Sequence, residues 1–573
     1  MLLFVIAPRR GAAWFSDDGL FLRMSWEAAN GYGWDRMLPQ SPSYLFNAFM
    51  IKVGVVELIH FRWINYTLCL FGATLFFFGL DRRRFHTPTT PLAITASLLV
   101  WLNSVECPNS LAMHFFLIGA GCYFFSTQPS RKINHLLLIL SACFLAIAGF
   151  MHAAVAIAVI LIGALICILN PVARRSAFMP MLIIVLVGLW TWYIATIGLS
   201  TILRVPAGHE TSPMELLHRI SLILKFFFLA LLYFLIASYV FKRLKQGSFQ
   251  SAQIFLSWWI TGIAVLSLLW NILGVQWRFP GWIGIHQIPG AVYYPLLFAI
   301  FAVIGIGYTQ YYQAQTRVGS GLKSSLVSVH RFIQDWFRQN GPGTTNHLLV
   351  IAITGFLLIP AGLAAGSNTA ILVGLVYFAG PAVGLLLMIQ SQANQDLWKK
   401  RERKGLVTVW IVIFFIFSLI YNHPTQEMPI QSDRVILSAP PLREIIESQR
   451  YQASLMQIQQ IYSQQDCQNK LLLTLENVPT LYYILQHPAP NSIGVVRPLY
   501  YFPEDDIQIL ISENLHWCVL DATGVETQSE INRLGGADFR EKVRKLLRAQ
   551  STQSFVIPSP SKEIVKDMTF YIR

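Results

Sequence analysis

Residues His60–Arg84 read HFRWINYTLCLFGATLFFFGLDRRR. Between Arg62 and Asp81 the run carries no charged side chain. As a helix rising about 1.5 Å per residue, such a run reaches roughly 30 Å, the thickness of a bilayer's hydrocarbon core. Three consecutive arginines close it, as expected where a membrane helix emerges on its cytoplasmic side. The pattern recurs along the chain. Further apolar runs lie at 91–104, 110–126, 135–149, 153–169, 178–199, 219–241, 253–273, 291–312, 347–366, 369–390 and 406–421. The stretch 135–170 is too long for one crossing and too short for two full ones. It divides at Gly149-Phe150-Met151-His152, with His152 read as a turn residue rather than a ligand.

Composition agrees with this reading. Of 573 residues 54% are apolar and only 13% charged, about half the charge of a soluble globular chain. Mean hydropathy is +0.50. These values exclude a disordered chain and an ordinary soluble enzyme, and 7 cysteines are too few for a secreted disulfide scaffold of this length. The expected fold class is a polytopic α-helical membrane protein of about 12–13 spans, residues 1–421, followed by a small α/β domain, residues 422–573.

The net charge of +14 raises the question of nucleic acid. Residues 422–573 carry 14 basic and 17 acidic side chains, so the excess belongs to the apolar half. A nucleic-acid binder needs a basic face in water, and the polar region here is mildly acidic. The basic residues instead sit in alternate loops: Arg82–Arg84, Arg131-Lys132, Arg174-Arg175, Lys242 to Lys245, Arg317 to Arg338 and Lys399 to Lys404. Together they hold 19 basic residues against four acids, which places those loops in the cytoplasm. Residues 8–59, the loops around Glu106, 200–218 and 274–290, and the tail after Tyr421 then face outward. The expected location is the cytoplasmic (inner) membrane, with the C-terminal domain extracytoplasmic. Met1–Ala7 is too short to cross, and Arg9-Arg10 would break the charge rule on the outer face, so a thirteenth helix before it and an inside N-terminus are expected. Residues 322–338 set Leu322, Leu326, Val329, Ile333 and Trp336 at helical spacing among basic residues, which suits a helix lying on the cytoplasmic interface.

In the tail, helix-like stretches (Leu442–Gln464 and Ser529–Gln550) alternate with β-like runs (Leu471–Leu475, Ile507–Ile511 and Trp517–Leu520). Cys467 and Cys518 both lie there, and an oxidising compartment permits them to pair. The other five cysteines lie in or beside apolar runs, where a cysteine usually serves as a small apolar side chain.

Chemistry is expected at the outer edge. The first outer loop reads Trp14-Phe15-Ser16-Asp17-Asp18-Gly19-Leu20, then a helical stretch through Glu27. Gly31-Tyr32-Gly33-Trp34-Asp35 and Pro39-Gln40-Ser41-Pro42-Ser43-Tyr44-Leu45 follow. Two adjacent carboxylates beside a membrane helix can supply a general base and a group that orients the acceptor or binds a cation. They can equally stabilise the start of the next helix, where acids are favourable.

This stretch, with Arg62 opening the next span and Arg82–Arg84 closing it, resembles the GT-C class of membrane glycosyltransferases. Within that class it is most similar to the bacterial protein-mannosyltransferase and aminoarabinose-transferase type. The resemblance is carried by residues 14–84 and by the overall topology; the absent first helix departs from it. It implies transfer of a sugar, with inversion, from a polyprenyl-phosphate donor to an acceptor on the outer leaflet: lipid A, another cell-envelope glycan or a protein. Asp17 matches the leading acid of the family's pair and is the expected base, with Asp18 supporting it. Any divalent metal would sit on this pair. Glu106 is the candidate third acid of the mouth, and Lys52, Arg62, Arg204, Arg278 and His286 are candidates for the donor phosphate. Arg278 and His286 lie in an outer loop leading to Tyr293-Tyr294-Pro295, whose order also resembles the family. Interfacial anchoring would use the same Trp, Tyr and Arg residues. No Walker-type GxxxxGK[ST], HExxH or CxxC is present. The rival functions are an O-antigen polymerase or ligase, and a transporter or flippase of lipid-linked substrates. The first would place its large outer loop between two late spans, and the second would show internal repeats and charges inside spans.

Overall fold

The computed structural model describes residue 9 and residues 17–32, 42–81, 89–99, 108–127, 134–199, 345–365, 381, 384–385, 434–438, 440–474, 479–488, 516–521, 544–558 and 567–573. The expected spans at 219–241, 253–273, 291–312 and 406–421, and the interfacial helix 322–338, lie outside these residues. So do Met1–Ala7 and the run Ile507–Ile511.

The N-terminal half is helical: α1 (Asp17–Ala29), α2 (Tyr44–Lys52), α3 (Leu58–Leu80), α4 (Thr89–Leu99), α5 (Pro108–Ser126), α6 (His135–Phe150), α7 (Ala153–Leu169), α8 (Pro171–Arg175), α9 (Phe178–Ile197) and α10 (Thr345–Ala365). Among the described residues α3 and α9 are long and apolar enough to cross a membrane, while α6, α7 and parts of α5 and α10 are shorter apolar helices. α9 shows what solvent it suits. It buries Leu182, Leu186 and Tyr193 but exposes Ile183, Ile184, Val187 and Trp192. A helix apolar on both its buried and exposed faces belongs in lipid rather than water.

The division of 135–170 is as expected. α6 ends at Phe150 and α7 begins at Ala153, with His152 as its N-cap, its Nδ1 accepting from the Ala154 N–H at 3.2 Å. Asn170 caps the next turn in the same way, accepting from Val172 and Ala173. These caps meet N–H groups that the first turn of a helix cannot pair internally.

Helices α3, α5, α6, α7, α9 and α10 share one apolar core. Phe76 stands at its centre, 5.1 Å from Phe77, 5.2 Å from Phe124 and 5.6 Å from Phe356 between ring centroids. Close helix approach uses small residues, as is usual where lipid supplies no hydrophobic drive between helices. A Cβ on Gly121 of α5 would stand 2.7 Å from the Leu75 carbonyl carbon of α3. Gly121→Ala should therefore destabilise the bundle by about 1–3 kcal/mol through overpacking, read as a lower unfolding temperature in detergent.

The tail is a mixed α/β unit. A two-stranded antiparallel ribbon, β1 (Arg434–Ile436) with β2 (Ile446–Ser448), precedes α11 (Gln449–Gln464). After β3 (Leu471–Thr474) come a short helix, α12 (Pro479–Leu485), then β4 (Trp517–Asp521), a helical stretch over 544–550, β5 (Gln553–Ile557) and β6 (Met568–Ile572). The four-stranded sheet runs β3-β4-β6-β5, with β3 and β4 parallel and the other pairs antiparallel. Every residue of β4 is buried, which explains its unbroken apolar run Trp517-Cys518-Val519-Leu520. Cys467, just before β3, is bonded to Cys518 of β4, with 5.9 Å between their Cα atoms.

One expectation needs correction. The helix anticipated over Leu442–Gln464 starts only at Gln449. Its first residues form a turn and strand instead, because Glu444 takes a left-handed φ of 66° and Ser448 Oγ accepts the Tyr451 N–H at 3.1 Å, starting the helix there. Of the helix anticipated over Ser529–Gln550, only 544–550 fall among the described residues, and these are helical. The strands β1, β2, β5 and β6 and helix α12 were not anticipated.

Candidate active site

Helix α1, the element that Asp17 and Asp18 open, lies between two cores. Met24 and Ala28 belong with the helical bundle, whereas Leu22 and Trp26 belong with a second core built mainly by the tail. Residues two apart in a helix differ by about 200° in direction, so the two pairs occupy opposite faces. Position 17, seven and eleven residues before Met24 and Ala28, shares their helical register. Acids in the first turn of a helix are stabilised in their ionised form by the unpaired N–H groups and the macrodipole.

The second core includes Leu58, Ile59 and Phe61 from the start of α3 together with Leu437, Leu442, Ile445, Tyr482 and Tyr483 of the tail. The tail thus sits on the N-terminal end of α3, opposite its Asp81 end. Polar contacts fasten it there. The Leu58 N–H, an unpaired donor of the first turn, gives its hydrogen to Pro441 O at 2.9 Å. Glu57 accepts from the Arg443 N–H at 3.2 Å and faces its guanidinium at 3.9 Å. Arg9 pairs with Glu444 at 3.0 Å. Tyr483 donates to Val56 O at 2.6 Å, and burial, followed by the nearby Glu57 carboxylate, pushes its hydroxyl pKa up.

The candidate residues fall as follows. Asp17 and Asp18 are the first residues of α1. Lys52 is the last residue of α2 and is exposed, as suits a cation at a helix C-terminus. Arg62, near the start of α3, is fully buried. Glu106, Arg204, Arg278 and His286 lie outside the described residues. Among the described residues no three His, Cys, Asp or Glu side chains form a group able to hold a metal ion.

Several buried polar residues were not picked out from the sequence. On α1, Arg23 and Glu27 form an ion pair at 3.8 Å with 5% and 0% of their side chains exposed. One turn beyond Arg62, Asn65 is fully buried and its Oδ1 accepts from His114 Nε2 of α5, also fully buried. Arg62 and Asn65 are three apart and so share a face of α3. Asn47 of α2 is buried as well. Asn47 and His114 each interrupt a locally apolar stretch, and that interruption was the available signal.

An aromatic cluster frames the same end of the bundle. Tyr44 of α2 hydrogen-bonds Tyr193 of α9, hydroxyl to hydroxyl, at 2.9 Å. Phe150 stands 5.5 Å from Trp190 and 5.9 Å from Tyr193, beside the His152 turn. Tyr44→Phe strands the buried Tyr193 hydroxyl and should lower stability by about 1–3 kcal/mol. The double variant Tyr44→Phe/Tyr193→Phe should lose less than the two single losses combined, measured by thermal unfolding.

No protein-family model matches the chain, and no curated protein matches it. Over 99% of its length the chain is similar in structure to ArnT from Cupriavidus metallidurans in the apo state, covering 96% of that chain with a TM-score of 0.42 and 10% identity. It is similar in the same proportions, at 11% identity, to ArnT from the same organism bound to undecaprenyl phosphate.

Proposed function

We propose that this chain is a membrane glycosyltransferase of the inner membrane that moves a sugar from a polyprenyl-phosphate-linked donor to an acceptor on the outer face. The observation that carries the reading is the position of α1. The helix opened by Asp17-Asp18 packs one face on the apolar helical bundle and the other on the separate apolar core built mainly by the tail. A reaction between a lipid-anchored donor and a water-borne acceptor needs its base at such a junction.

The donor's prenyl chain stays in the bilayer beside the apolar helices, and its phosphate lies at the interface. Asp17 takes the proton from the acceptor hydroxyl or amine as that group attacks the anomeric carbon. The bond from that carbon to the phosphate oxygen breaks, and polyprenyl phosphate leaves with the electron pair. Attack opposite to the leaving group inverts the anomeric centre. Asp18 orients the acceptor or its partner base, and Glu106 completes the acidic side. Arg62, buried at the start of α3, is suited to the phosphate because a guanidinium out of water favours an anion close by. Lys52, Arg204, Arg278 and His286 are the further donor-side candidates. The tail, disulfide-bonded and extracytoplasmic, faces the acceptor: lipid A, another envelope glycan or a protein.

The test offers radiolabelled polyprenyl-phosphate mannose, glucose and aminoarabinose to membrane vesicles containing the full chain and an envelope acceptor fraction. The expected result is label in lipid A, glycan or protein, with free polyprenyl phosphate released. Buried polar groups inside helices, such as Asn65 and His114, also suit a flippase. Label that changes leaflet while still attached to its prenyl carrier would replace transferase with that reading.

A further inference from the structure

We infer that the tail helix α12 is the positioning element of the proposed active site, acting through a close contact between Thr480 and Gly19. This rests on the transferase reading for its chemistry and on geometry alone for the contact.

Gly19 follows directly on Asp17-Asp18 in α1. A Cβ added there would collide with Thr480 Oγ1 and stand 2.9 Å from both the Cβ and the backbone nitrogen of Thr480. Real Cβ atoms do not approach other atoms that closely, so any side chain at 19 must push α1 and α12 apart. Thr480 is fully buried. One turn along, the Arg23 guanidinium lies 5.9 Å above the Tyr482 ring, a cation–π contact. The neighbouring Tyr483 donates its hydroxyl hydrogen to Val56 O, at the lead-in to α3. One short tail helix therefore grips both the helix that begins with the acids and the segment that leads to Arg62. It sets the distance between base and phosphate cation, although it belongs to neither segment.

Intrinsic propensity works in the opposite direction. Alanine is a better helix former than glycine by about 1 kcal/mol, so α1 by itself would gain from Gly19→Ala. Any loss must come through the contact with α12.

The experiment compares the full chain with Gly19→Ala, Gly19→Ala/Thr480→Gly and Asp17→Asn in vesicles. Two readouts are used: turnover per disulfide-bonded, monodisperse molecule on the polyprenyl-phosphate sugars above, and hydrogen exchange over residues 17–29. A misplacement of about 1 Å can lower a rate by about 10²-fold. Gly19→Ala should lower kcat by about that factor with donor KM nearly unchanged, and should speed exchange in 17–29. The double variant removes the Oγ1 and Cβ contacts and keeps the 2.9 Å approach to the nitrogen of residue 480, so it should recover about tenfold of the lost rate and part of the protection. A loss that acts only through misfolding would lower yield, not turnover per folded molecule. Gly19→Ala with wild-type exchange overturns the inference, as does a double variant no better than Gly19→Ala. Full activity in Asp17→Asn removes Asp17 as the base, no transfer by any of the proteins overturns the transferase reading, and in either case the contact is judged by exchange.

Discussion

Asp17→Asn should reduce sugar transfer by about 10²–10⁴-fold, the usual contribution of a positioned general base, while leaving the protein in the membrane at its normal level. The substitution is well isolated. Asn is as good as Asp at the start of a helix, so α1 keeps its first turn, and the side chain keeps its size. What is lost is the ability to hold a proton. If Asp17 served only to stabilise the helix, Asn would replace it with an effect of a few tenths of a kcal/mol from the macrodipole and little change in rate. Turnover of labelled polyprenyl-phosphate sugar by purified vesicles, normalised to protein, separates the two. A rate within a few-fold of wild type would remove Asp17 from the chemistry.

Cys467→Ser should cost the tail about 4 kcal/mol. The disulfide closes a loop spanning 51 residues, and the chain-entropy relation gives about that figure for such a loop. Both cysteines are fully buried, next to the parallel pairing of β3 with β4, where Leu472 lies opposite Cys518. Parallel strands lack a local hairpin to hold them together, so the covalent link supports a pairing of distant segments. The effect should reach beyond the tail. Leu22 of α1 and Leu58, Ile59 and Phe61 of α3 are buried in the same core as the tail. Loosening the tail should therefore raise hydrogen exchange in 17–29 as well as in the sheet. Thermal unfolding of the full chain in detergent, with and without reductant, checks this. An unchanged melting temperature in Cys467→Ser would show that the bond adds nothing to stability. A structural disulfide also suits a domain on the oxidising side of a membrane, the side proposed for the tail.

The same shared core alters what a truncation would mean. Removing residues 430–573 would not separate acceptor handling from donor binding. It would expose Leu22, Leu58 and Phe61 and strip Pro441 from the Leu58 N–H. Donor and acceptor functions would both suffer, so point substitutions at the interface are the cleaner probe.

Among the described residues, the sequence by itself determined the long apolar helices α3, α4, α5, α6, α7, α9 and α10, the division at His152 and the acid pair at the head of α1. These depend on hydropathy, capping and charge over a few consecutive residues, and lipid rewards an apolar run wherever it occurs. The positions of β3 and β4 were legible for the same reason, as short apolar runs. Tertiary structure decided the rest. Nothing local in Gly19 or Thr480 says that residues 461 positions apart touch, nor in Cys467 and Cys518 that they pair. Arg23 and Glu27 look in sequence like an ordinary exposed pair, yet they are buried because α1 is enclosed on two sides. The start of α11 was misplaced because the apolar spacing of 442–448 fits a helix until β1 offers it a partner strand. Long-range contacts decide these cases because each depends on surfaces brought together by folding, and no window of sequence contains both sides.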